Sequence, residues 1–161
     1  MLKRVKKKIV ALVFYAIAMA YVEAMVVVYL RRLVPIEVWQ QVTSYRELTS
    51  LIHNAGIMWS EQTREFATLV MLVSVAYLFG RNKKERCAIF LITFGIWDIF
   101  YYGFLYLWLR WPPHLLALDV LFLIPLPWLA PVVVPIIISI MFIIWGGIML
   151  IGRERIKDES F

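Results

Sequence analysis

The chain has 161 residues, 63% of them hydrophobic, 16% aromatic and 17% charged, with a formal net charge of +6. A soluble domain is nearer half apolar and a quarter charged. This composition, with a mean hydropathy of +0.79, excludes a secreted disulfide scaffold, a disordered tail and an ordinary cytosolic enzyme. The single Cys87 excludes an internal disulfide and any cysteine-based zinc or iron–sulfur site within one chain.

A helix needs about 20 mostly apolar residues to cross about 30 Å of hydrocarbon. Four stretches meet that length: residues 9–30, interrupted only by Glu23; residues 57–79, apolar after a polar first turn and a half; residues 87–109, with the single acid Asp98; and residues 132–151, with no charge. The expected fold is an all-α integral membrane protein, a four-transmembrane-helix bundle forming one domain over residues 1–161. Lys3–Lys8 ahead of an apolar run, with Ala18-Met19-Ala20 inside it, also fits a cleavable signal peptide. The apolar run continues to Leu30, which favours an uncleaved anchor.

Basic residues set orientation, because they accumulate on the cytoplasmic side. With four spans and a cytoplasmic N-terminus, 12 lie inside: Lys3, Arg4, Lys6, Lys7, Lys8, Arg81, Lys83, Lys84, Arg86, Arg153, Arg155 and Lys157. Only 5 lie outside: Arg31, Arg32, Arg46, Arg64 and Arg110. A fifth span over residues 115–130 would change the division to 9 against 8. The expected protein therefore sits in the cytoplasmic (plasma) membrane with both termini cytoplasmic. Trp39, Trp59, Trp108, Trp111 and Trp128 all fall at the outer interface, where amphipathic rings collect.

Two outer connections stand out. In residues 33–54, Val38, Val42, Tyr45, Leu48 and Leu51 recur at helical spacing between polar residues. This predicts an outer interfacial helix, with an ordered surface loop as the alternative. The stretch from Pro112 to Pro135 carries six of the seven prolines. Residues 115–123 are too few to span and predict a short re-entrant or interfacial helix. Residues 124–131 should be extended or kinked, since proline lacks a donor and disfavours helix in the residue before it. Together they predict a Pro-rich re-entrant or lid segment, against a plain surface loop.

Five of the eleven acids lie in apolar runs: Glu23, Glu61, Glu65, Asp98 and Asp119. An ionisable group at the centre of a spanning helix costs roughly 2.5–3.5 kcal/mol on insertion scales and usually marks function. Four of the five fall in the outer half, with Asp98 near mid-membrane. Glu61, Arg64, Glu65 and Thr68 share one helix face, Glu23 shares a face with Ala16 and Ala20, and Asp98 shares one with Gly95, Tyr101 and Tyr102. The spacing predicts one polar pocket, open to the extracytoplasmic side and lined by Glu23, Glu61, Arg64, Glu65, Asp98, Tyr102 and Asp119. Each residue also has a plainer reading: Glu61 as an interface acid, Arg64 with Glu61 as an exposed pair, Asp98 as interhelical glue, Asp119 as a surface tack, His53 and His114 as interface residues.

Carboxylates with few histidines suit hard cations. Glu23, Glu61, Glu65 and Asp119 are the candidate ligands for Mg²⁺, Ca²⁺ or Mn²⁺, and no other cofactor is implied. Glu65, Glu23 and Asp98 are the candidate catalytic groups, with Asp98 positioning the other two. Arg64, Tyr102, His53 and His114 are the candidate substrate contacts, Arg64 clamping a phosphate. The first functional expectation is a divalent-cation-dependent enzyme acting on a membrane lipid or lipid (di)phosphate. The second is a non-catalytic accessory or lipid-binding subunit. Proton or cation transport ranks below both, because the inner half lacks acids. The expected partners are membrane lipid and either further copies of the chain or a larger membrane complex, without nucleic acid.

Overall fold

The computed structural model describes residues 2–33, 58–124 and 128–158, with side chains for 8–32, 58–124 and 128–150. The expected interfacial helix over residues 33–54, and His53 with it, lies outside the described residues apart from Leu33, the last residue of the first helix. Among the described residues, four helices and one strand pair follow in order: α1 (Leu2–Leu33), α2 (Met58–Phe79), α3 (Lys83–Leu109), then the hairpin β1 (Leu118–Phe122) and β2 (Trp128–Pro131), and α4 (Val133–Asp158). The fold is mostly helical, as the apolar runs require.

Three of these helices, over Lys8–Arg32, Lys83–Leu109 and Val133–Leu150, are long and apolar enough to cross a membrane. This is a membrane protein. With Glu61, Arg64 and Glu65 in its first two turns, α2 falls outside that set. The helices also run past the apolar stretches. In α3 the first turn is the charged Lys83, Lys84 and Glu85, made stable by a cap: the Asn82 side chain accepts from the Glu85 N–H at 3.0 Å.

α3 is the central helix and packs against the other three. Its approach to α4 is close enough to require glycine. A Cβ on Gly95 would stand 2.5 Å from the Ser139 carbonyl oxygen, and one on Gly146 would stand 2.7 Å from that of Ala88. On α1, Ala16, Ala20, Ala24 and Val28 are all fully buried, one every turn. Small side chains let helix backbones approach where lipid provides no hydrophobic drive. Ala16 and Ala20 meet Trp97 of α3 and Leu72 of α2, while Ala24 and Val28 meet Tyr102 and Leu105.

The Pro-rich connection differs from expectation. The short helix predicted over residues 115–123 does not form; Leu118–Phe122 is a strand paired antiparallel with Trp128–Pro131. Asp119 faces Ala130 and Val120 faces Leu129, with an irregularity before Phe122 pairs with Trp128. Leu118–Phe122 itself carries no proline; an extended apolar segment satisfies its backbone by pairing with another, and Trp128–Pro131 supplies that partner. Pro131 sits at the end of the ladder, where its missing donor costs least. Val132 and Val133 continue the attachment by donating to the carbonyls of Ala117 and Leu115 at 3.0 and 2.9 Å.

Candidate functional site

The cluster is assembled from α1, α2, α3 and the hairpin, at the end of the bundle where α1 and α3 finish and α2 begins. Glu23 of α1 is buried, and α2 reaches it with two groups. The Thr68 hydroxyl donates to Glu23 Oε1, and the Arg64 guanidinium pairs with Oε2. Arg64 also holds Glu61 one turn before it, donating from Nη2 at 2.7 Å and Nε at 3.1 Å. One guanidinium thus bridges two carboxylates from different helices.

The hairpin is fastened to both flanking helices. On α2, Glu65 Oε2 accepts the Leu123 N–H at 2.8 Å, while Gln62 Nε2 donates to the Leu123 carbonyl at 3.1 Å. On α1, Arg31 Nη2 donates to the buried Asp119 at 3.2 Å, and its guanidinium lies 4.6 Å from the centre of the Trp111 ring. Burial pushes the Asp119 carboxyl above its ordinary range, against the pull of Arg31. Asp98, buried on α3, accepts from the Ser139 hydroxyl of α4 at 2.8 Å.

These groups surround a cavity of about 110 Å³. All seven residues predicted to share a pocket line it: Glu23, Glu61, Arg64, Glu65, Asp98, Tyr102 and Asp119. Arg31, Trp97 and Tyr101 join them, as does the hairpin from Asp119 to Leu123. His114 does not. It is exposed and lines a separate apolar groove with Ile99, Gly103 and Tyr106, sharing only Tyr102 with the cavity.

Three contributors were not singled out from the sequence. Arg31 stands in a basic pair at the end of a span, where orientation alone accounts for it. Ser139 is the one hydroxyl residue in the otherwise apolar residues 132–151, and that isolation was the available signal. Trp97 gives no signal in sequence. It is 8% exposed and lines the cavity, and its buried indole N–H has no hydrogen-bond partner among the described residues.

A water needs roughly 10–15 Å³ of such space, so the cavity has room for several waters or one small charged group, and not for an acyl chain. Among the described residues, no three His, Cys, Asp or Glu side chains are arranged to hold a metal ion. The carboxylates are held by protein donors instead. No protein family, curated protein or solved structure matches the chain.

Proposed function

We propose that this protein binds the polar headgroup of a membrane lipid in the cavity beneath the hairpin, while the lipid chains stay in the bilayer. The observation that supports this most is the enclosure of five acids and two arginines around one headgroup-sized space at one end of an apolar bundle. Ionisable groups at such depth are expensive and are kept where they act. In this reading α2 crosses the membrane as the fourth span and both termini are cytoplasmic. The cavity then opens to the extracytoplasmic side, with the hairpin as its re-entrant lid. A lipid-binding or accessory subunit of a membrane complex follows directly from this reading.

A cation-dependent enzyme is the second reading, favoured by Glu61 and Glu65, which lie one turn apart and both line the cavity beside Glu23. A Mg²⁺, Ca²⁺ or Mn²⁺ ion held there would bring a lipid phosphate or diphosphate to Arg64, with Glu65 or Glu23 as base and Asp98 as a positioning residue. Native mass spectrometry of the detergent-extracted protein tests the binding reading. The wild type is expected to retain one lipid, and Glu65→Gln to lose it while keeping its helical circular dichroism. A lipid-free wild type would contradict the proposal. Phosphate release from an isoprenyl diphosphate with added Mn²⁺, abolished in Glu65→Gln, would select the enzyme. No turnover with any of the three ions would leave the binding subunit.

A further inference from the structure

The chemistry of the cavity restricts which headgroup it can take, and the inference here rests on the headgroup reading above. We propose that the ligand is a zwitterion, an ammonium group joined to a phosphate, with the ammonium against the carboxylates and tyrosine rings and the phosphate against Arg64 and the indole of Trp97.

Two demands meet in the cavity. The first is for a donor or cation to face the acidic wall, because five carboxyl groups line the cavity against two guanidiniums. A hard dication would meet that demand with six or more oxygens in a tight shell. The carboxylates are instead committed one by one to protein donors: Glu23 to Thr68 and Arg64, Asp98 to Ser139, Asp119 to Arg31. Much of the remaining wall is aromatic. Trp97 and Tyr101 stack with centroids 6.2 Å apart, and Tyr102 meets Tyr101 edge-on at 5.2 Å. Ring faces beside carboxylates attract an organic ammonium, which needs no fixed coordination shell.

The second demand is for an acceptor. The Trp97 indole N–H is buried without a partner among the described residues, and leaving such a donor unsatisfied is costly. A free ammonium cannot accept from it, and a simple anion would leave the acidic wall without a cationic partner. A headgroup carrying both charges answers both demands, with Arg64 and Trp97 as its donors.

The test uses the purified, delipidated full-length protein in detergent, titrated separately with dihexanoyl phosphatidylethanolamine, dihexanoyl phosphatidylglycerol and soluble O-phosphoethanolamine. Binding is read by native mass spectrometry and tryptophan fluorescence. The ethanolamine lipid is expected to bind at least tenfold more tightly than the glycerol lipid. Trp97→Phe, which keeps a ring but loses the N–H, should weaken the ethanolamine lipid about tenfold, at the low end for a hydrogen bond to a charged group. Its thermal unfolding should stay within a few degrees of wild type. If O-phosphoethanolamine binds as tightly as the lipid, the zwitterion stands and its source is a soluble headgroup; if only the lipid binds, the source is the membrane. Equal affinity for the two lipids would overturn the ammonium assignment and leave the headgroup reading intact. Binding of neither lipid would remove both. The wild-type comparison decides the matter even if Trp97→Phe does not fold.

Discussion

Glu23 sits one turn from Met19 and Ala20 on the buried face of α1, and it stays out of lipid because α2 supplies Thr68 and Arg64 at its own depth. Breaking a buried charge pair costs more than never having it, because the remaining charge is stranded. Arg64→Gln should therefore lower stability by about 3 kcal/mol, read by thermal unfolding in detergent. The double variant with Glu23→Gln should recover a substantial part of that loss. Strictly additive effects would show that the two side chains do not interact. The acids and Arg64 were legible in sequence because an ionisable residue within an apolar run has no cheap place to go. Arg31, Trp97 and Ser139 were not, since a terminal arginine, a tryptophan and a lone serine are all ordinary in a membrane helix.

Among the elements, the α3–α4 contact and the hairpin do the positioning. Gly95 lies one turn from Asp98, and the Ser139 carbonyl it touches belongs to the residue whose hydroxyl holds Asp98. Gly95→Ala should push the two helices apart and cost about 1–3 kcal/mol, as overpacking does. Gly103→Ala on the same helix meets nothing within 4 Å and should be neutral or slightly stabilising. Equal melting temperatures for the two variants would argue against the tight crossing. The hairpin hangs from Arg31 on one side and from Gln62 and Glu65 on the other. Asp119→Asn should release the first attachment, and hydrogen exchange over Leu118–Phe122 should then rise well above wild type. Unchanged protection would mean that the ladder alone holds the segment. The prolines made the extended chain of Trp128–Pro131 legible, but Leu118–Phe122 was expected as helix and its pairing was not legible. Pairing depends on a partner across residues 123–127, and no local pattern encodes that register.

For the molecule as a whole, the apolar runs and the few acids within them were enough to read a helical membrane protein with a polar cluster at one end. Side-chain period settles which residues share a face of one helix, and the small residues on α1 and α3 bring those faces together. What the periodicity could not supply was how fully the carboxylates are held by donors from neighbouring elements. The same basic asymmetry, 12 residues against 5, predicts that a reporter fused after Phe161 reads as cytoplasmic; an extracytoplasmic signal would refute the four-span arrangement. The most direct measurement of the central claim is a density map of the protein in lipid nanodiscs. The account predicts ordered density between Arg64, Trp97 and the hairpin, continuous with a chain entering the bilayer, and Glu23, Glu65 and Asp98 facing it together. An empty, dry cavity, or those three carboxylates on separate lipid-facing sides, would contradict it.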